Sequence, residues 1–268
     1  MSHDAFRVAP AASGLIAATL TLGRVIRLGL LGAVIGASAA LAADVVVPSI
    51  TPPLLPAVRI ALATAAEVDP VLAQRLKHAG FEKESASRDA RAVANWVVDS
   101  GDSQGMPFAI VDKQNAKVFV FDANGRLRGA APALLGLAIG DDAVPGIGNR
   151  PLSTILPAER TTPAGRFVAT LDRNLQGKEI LWVDYGGAVS MHPVVTAKPA
   201  ERRLQRLTTP TPLDNRISYG CINVPVQFFD KVVRPAFTGT SGIVYVLPET
   251  RSAQLLFGSY TVAAPTGP

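Results

Sequence analysis

The chain contains one cysteine, Cys221, set in Ser218-Tyr219-Gly220-Cys221-Ile222-Asn223-Val224-Pro225. A thiol becomes a strong nucleophile only on losing its proton, and a neighbouring imidazole is the usual acceptor. Three histidines are present. His3 is expected to leave with an N-terminal targeting segment. His78 falls in the last turn of a short expected helix, where the helix dipole favours a solvated imidazole without any chemistry. Elimination leaves His192, at the end of an expected strand, as the candidate base. Gly220 lets the backbone approach a carbonyl closely in a turn closed to other residues, and the amides of Gly220 and Cys221 can then face one oxyanion. This set is suited to nucleophilic attack on a carbonyl.

The rest of the chain bears on whether that thiol is chemical or only a small buried hydrophobe. Arg24 and Arg27 precede an uncharged run, Leu28 to Ala43, that ends in the small-x-small pattern Ala40-Leu41-Ala42. Residues 1–43 therefore read as a signal peptide cut near Ala42. An uncleaved anchor is the alternative and the one case in which the protein would meet the membrane, although the run is short for a span. The segment has no cysteine to carry a lipid. Export to the periplasm or cell wall places Cys221 where cysteines normally pair as disulfides, so an unpaired thiol there needs a reason.

Residues 1–43 hold three of the 26 basic residues and one of the 21 acidic ones, leaving 23 against 20. One segment accounts for the excess: Lys198, Arg202, Arg203, Arg206 and Arg216 face only Glu201 and Asp214. No aromatic residue interleaves with these cations to stack on bases, which argues against nucleic acid and for an anionic cell-envelope polymer.

The elements that must position Cys221 and His192 begin after a Pro-rich linker, residues 44–60, with Pro48, Pro52, Pro53 and Pro56. A short helical accessory region is expected over 61–104. Its first helix is capped by Asp69 and Pro70, carries Val71, Leu72 and Leu76, and stops at Gly80; its second is capped by Ser87, carries Val93, Trp96 and Val97, and stops at Gly101. From Pro107 the texture changes to strands, expected at 108–111, 117–122, 134–139, 166–171, 179–183, 188–192 and 243–247, with a helix over 226–233. High Pro (21) and Gly (23) with 6% aromatics point the same way, to a mainly β domain with one or two helices over 105–250, then a tail over 251–268.

The Cys221 stretch resembles the signature of the L,D-transpeptidase (YkuD-like) catalytic domain, in which a His is followed by Ser/Thr-His-Gly-Cys-x-Asn/Arg. Ser218, Gly220, Cys221 and Asn223 match. Thr162-Pro163-Ala164-Gly165-Arg166-Phe167 resembles that family's TPxGxF turn, and Ile110-Val111-Asp112 to Val120 its opening hairpin, so the likeness runs from about 107 to 248. It implies a β-sandwich or barrel and peptidoglycan stem peptides as substrate. Cys221 would form a thioester with the residue before a terminal D-amino acid, and His192 would carry the proton. Gly220 and Ser218 would shape the oxyanion turn, and Asn223, Tyr219 and Arg216 would contact substrate. No cofactor and no metal are implied.

Two features depart from that pattern. Tyr219 stands where the family has its second His, and the interval from His192 to Ser218 is long and holds the basic segment. The 194–217 loop reads as a mobile lid whose cations hold the anionic polymer. A thiol beside an imidazole is further expected to be more ionised than a free cysteine. The resemblance leaves open hydrolysis of the same thioester, as a carboxypeptidase or an amidase, and a non-catalytic peptidoglycan-binding module. A redox-sensing thiol would lack a resolving cysteine.

Overall fold

The computed structural model of the chain describes residues 78–263. The expected signal segment, the expected linker and nearly all of the expected first accessory helix lie outside them. At the expected end of that helix, residues 78–80 are not helical, and Gly80 forms a bridge with Arg126. Helix α1 (Arg88–Ser100) starts where Ser87 Oγ accepts the Ala90 amide at 3.1 Å and ends where Gly101 turns left-handed, as local capping chemistry requires.

Ten strands follow: β1 (Phe108–Asp112), β2 (Lys117–Phe121), β3 (Leu127–Pro132), β4 (Leu135–Gly136), β5 (Gly165–Arg173), β6 (Glu179–Asp184), β7 (Val189–Pro193), β8 (Arg216–Ser218), β9 (Ile222–Val224) and β10 (Gly242–Val246). Eight form one sheet in the order β3-β2-β1-β10-β5-β6-β7-β9, parallel only where β1 meets β10 and β7 meets β9. Leu134 and Asn223 then exchange both backbone hydrogen bonds, at 2.8 and 2.9 Å, and all but close the sheet into a barrel. Closure removes exposed strand edges and puts β9 at the seam. β4 and β8 pair beside it. The architecture is mainly β with few helices.

The barrel interior packs Val111, Val118, Leu181, Met191, Ile222 and Val244 against Phe229 and Val233. Outside β1, β2 and β10, α1 buries Val93, Trp96 and Val97 on Phe108, Phe119 and Tyr245. Both faces of β1 are therefore covered, and all five of its residues are buried.

Several elements differ from the sequence expectation. The strand expected over 134–139 is two residues long. A Cβ on Gly136 would lie 2.3 Å from the Arg160 carbonyl, so the chain there packs on the 160–162 backbone instead of extending a ladder. β8 and β9 are three residues each, too short for alternation to show. The helix over 226–233 continues as α3 (Val226–Phe228), a π-helical turn over Phe229–Val233 and α4 (Arg234–Phe237). The expected tail instead contributes α5 (Ala253–Phe257), with Ala253 buried and Phe257 edge-on to Tyr245 at 5.7 Å. No helix among the described residues is long and apolar enough to cross a membrane.

Candidate active site

Strand alternation sorts the residues of the seam. β7 runs parallel to β9 with Met191 beside Ile222 and His192 beside Asn223. Val189, Met191, Ile222 and Val224 enter the core. Period two then sends Ser190, His192, Cys221 and Asn223 to the other face. His192, Cys221 and Asn223 line a cleft of about 810 Å³, with Ser218 and Tyr219 beside them. Ile147, Gly148, Leu152 and Ile155 line it from the β4–β5 connection, and residues between Val194 and Arg203 line it from the basic segment.

Cys221 Sγ lies 3.7 Å from Ser190 Oγ and 3.8 Å from the Ala188 carbonyl oxygen. The Cys221 carbonyl accepts from Ser218 Oγ at 2.6 Å and from Asn223 Nδ2 at 3.3 Å, so two side chains hold the turn by its backbone. Ser218 Oγ also accepts the Gly220 N–H at 3.1 Å. The Gly220 amide, expected to face an oxyanion, is thus committed to Ser218. The glycine requirement itself is real: Gly220 has φ 131°, and a Cβ there would sit 2.7 Å from the Thr161 carbonyl oxygen.

Thr162 clamps the same turn from behind. Its Oγ1 donates to the Gly220 carbonyl at 2.8 Å and accepts the Gly136 amide at 2.8 Å. Its carbonyl accepts from Lys113 Nζ at 3.0 Å. Lys113 is buried and pairs with Asp141 at 2.8 Å and, more loosely, with Glu249 at 3.5 Å. Arg216 closes this cluster by pairing with Glu249 and donating to the Lys113 carbonyl at 3.0 Å. Arg216, expected to contact substrate, is held in this ion-pair cluster, and the residues lining the cleft do not include it. Lys113, Asp141 and Glu249 gave no signal in the sequence, because Lys113 sits in what reads as an ordinary polar hairpin turn.

His192 Nδ1 lies 2.8 Å from the Pro193 carbonyl, which can only accept, so Nδ1 carries the proton and Nε2 is the acceptor. Burial pushes the imidazole pKa down to about 4; the Pro193 carbonyl opposes that, and the nearby Arg203 charge adds to it. Burial pushes the Cys221 thiol up, against the Ser190 N–H and hydroxyl and the Arg203 charge. Both shifts run toward the uncharged forms, because desolvation outweighs the polar contacts; for the thiol this direction is opposite to the expected ready ionisation.

The basic segment is folded rather than a fringe of solvated cations. It contains a short helix, α2 (Arg203–Arg206). Leu207 is buried with Leu134 and Val194, and Arg206 donates to the Glu201 carbonyl at 2.8 Å and to the Asp214 carbonyl at 2.5 Å. Arg203 turns inward to Asn223 Oδ1 at 2.7 Å, while Lys198 and Arg202 are exposed. Tyr219 lines the cleft with the Arg160 guanidinium 3.9 Å above its ring centroid. Among the described residues no group of three or more His, Cys, Asp or Glu side chains is placed to hold a metal ion.

What the fold and cleft define is a nearly closed β-barrel with a half-buried thiol and a buried imidazole at its seam. The sequence matches no protein-family model and no curated protein. Among solved structures, the chain is similar to the helical cell shape determining protein Pgp2 from Campylobacter jejuni, with 15% identity over 56% of this chain and 52% of that one and a TM-score of 0.37. It is similar to the LD transpeptidase LdtMt1 in complex with imipenem, with 18% identity over 53% of this chain and 58% of that one and a TM-score of 0.32. It is also similar to the catalytic domain of the E. faecium L,D-transpeptidase, with 19% identity over 52% of this chain and 95% of that one and a TM-score of 0.28. The matched region thus spans little more than half the length of the first two.

Proposed function

We propose that this protein is an exported cysteine acyltransferase of the L,D-transpeptidase kind, acting on peptidoglycan stem peptides in the periplasm or cell wall. The observation that carries the reading is the grouping of Cys221, His192 and Asn223 on one cleft floor by two adjacent strands whose alternate residues fill the core. Cys221 attacks the carbonyl of the residue before a terminal D-amino acid, and His192 Nε2 takes the thiol proton as the sulfur–carbon bond forms. The carbon–nitrogen bond then breaks, the leaving amine receives that proton, and a thioester remains. The amine of a neighbouring stem attacks the thioester: the new carbon–nitrogen bond forms as the carbon–sulfur bond breaks, and the proton the amine loses passes through His192 Nε2 back to the Cys221 sulfur. Because both partners start neutral, the proton moves during attack rather than before it. The Cys221 amide is the remaining candidate from the Gly220–Cys221 pair for the developing oxyanion, while Ser218 and Asn223 hold its carbonyl and so its direction. Tyr219 contacts the stem peptide in place of an imidazole.

Mass spectrometry of purified stem peptides incubated with the protein tests this. A cross-linked dimer with loss of the terminal residue is the expected product. Loss of that residue alone would make the enzyme a hydrolase, and no reaction together with retained peptide binding would make it a binding module.

A further inference from the structure

Arg203 belongs to the basic segment, yet its side chain is 14% exposed and lies in the cleft instead of in solvent. Two bonds fix its guanidinium: Nη1 donates to Asn223 Oδ1 at 2.7 Å and Nε donates to Glu201 Oε2 at 2.5 Å. Its charge is felt by both His192 and Cys221. Nη2 has no hydrogen-bond acceptor among the described residues. A planar fork held on two sides with a donor group left over is the arrangement that recognises a carboxylate, and little rotamer freedom remains to be lost on binding.

The local charge count supports an anionic ligand. Among the described residues Glu201 is the one carboxylate within ion-pair distance of either Lys198 or Arg203, at 3.8 and 2.5 Å, so this rim of the cleft keeps a positive excess. Arg150 differs, since Glu159 meets it through two hydrogen bonds. In a peptide whose penultimate carbonyl sits on Cys221, the terminal carboxylate is one residue further on, about 3.8 Å from Cα to Cα. Arg203 stands at that scale from the thiol's residue, since it is bonded to Asn223, whose Nδ2 holds the Cys221 carbonyl at 3.3 Å, and both Arg203 and Cys221 line the one cleft.

We infer that Arg203 binds the free terminal carboxylate of the acyl donor, which makes the enzyme specific for chain ends. This rests on the reading of Cys221 as the acylated residue and adds to it the side chain, outside the Cys221 stretch, that reads the carboxylate one residue beyond the attacked carbonyl. Asn223 then has two jobs, holding the Cys221 carbonyl through Nδ2 and the Arg203 fork through Oδ1. The acylated cysteine and the carboxylate clamp are thereby kept in register.

The test compares a fluorescent peptide ending in Lys-D-Ala with its C-terminal amide, by equilibrium binding to Cys221→Ala protein. Binding to that variant separates recognition from chemistry. The free acid should bind roughly tenfold to a hundredfold tighter than the amide, as a charge-assisted hydrogen-bonded pair provides. Adding Arg203→Gln should bring the ratio close to one by weakening the acid alone, and Arg203→Lys should restore part of it, with unchanged melting temperatures showing that the fold is kept. Equal binding of acid and amide, or an Arg203→Gln change that weakens both alike, would overturn the inference. A carboxylate preference that depends on Arg203, in a protein whose unmutated form leaves stem peptides unreacted, would uphold the clamp and remove the transferase reading.

Discussion

Thr162 joins two buried polar clusters in which burial has opposite outcomes. Behind it, Lys113, Asp141, Glu249 and Arg216 form an ion-pair network. Burial alone would raise the Asp141 pKa, but Lys113, Thr250 and the Glu249 and Thr250 amides together hold that carboxyl well below its usual range. In front of Thr162, His192 is buried and Cys221 half-buried, and the contacts around them include backbone carbonyls, a hydroxyl and an arginine; desolvation prevails in both, toward the neutral forms. The difference teaches that a charge persists inside this barrel only where several partners converge on it. The charged cluster is saturated and supports. The neutral pair keeps protonation states that can still change, which chemistry needs.

The largest effect that should follow from this division is on turnover. Cys221→Ala should lower it at least about a thousandfold, to background, whereas Cys221→Ser keeps a trace because a hydroxyl is far less acidic. Product analysis by mass spectrometry measures this, and residual turnover in Cys221→Ala would place the chemistry elsewhere.

Lys113→Ala strands Asp141 without its principal cation and releases the Thr162 carbonyl, so it should destabilise the protein by about 3–5 kcal/mol. Urea unfolding gives the number. A cost below about 1 kcal/mol would mean that the charged cluster is not the support.

Acid titration separates the clusters. His192 has its folded pKa at about 4, below the ordinary 6.5, so protons favour the unfolded chain. Its stabilising contribution, about 3 kcal/mol, is whole above pH 6.5 and is lost as pH falls toward 4. Asp141, also depressed, begins to lose its contribution only below its ordinary 3.8. Chemical denaturation at stepped pH should show stability declining first between 6.5 and 4, and His192→Asn should flatten that window alone.

Because burial raises the Cys221 pKa, iodoacetamide at pH 8 should label folded protein more slowly than a cysteine peptide, and His192→Ala should alter the rate little in the absence of substrate. Labelling faster than the peptide would restore a preformed ion pair and erase the contrast between the clusters.

The smallest effect concerns the outward cations of the basic segment. Lys198→Gln with Arg202→Gln should reduce sacculus retention by about twofold to fivefold at low salt and not at high salt, as screened surface charges do. Salt-independent loss in a pull-down would argue for a specific site instead.

The features legible from the residues alone are local ones. Ser87 and Gly101 delimit α1 because capping involves only a few neighbouring residues. The alternation along 189–193 sets which side of β7 is polar, and the positive φ of Gly220 belongs to a turn legible in its own tetrad. Elimination reached His192, which the fold places on the cleft beside Cys221's strand. The remaining features depend on contacts between distant segments. Lys113, Asp141, Glu249 and Arg216 come from segments more than 20 residues apart, so no window of sequence shows that they meet. Arg216 and Arg203 look alike within one basic run, yet one is sealed into that network and the other turns into the cleft. The protonation states of Cys221 and His192 were equally hidden, because desolvation depends on everything packed around a group and composition reports only what is present.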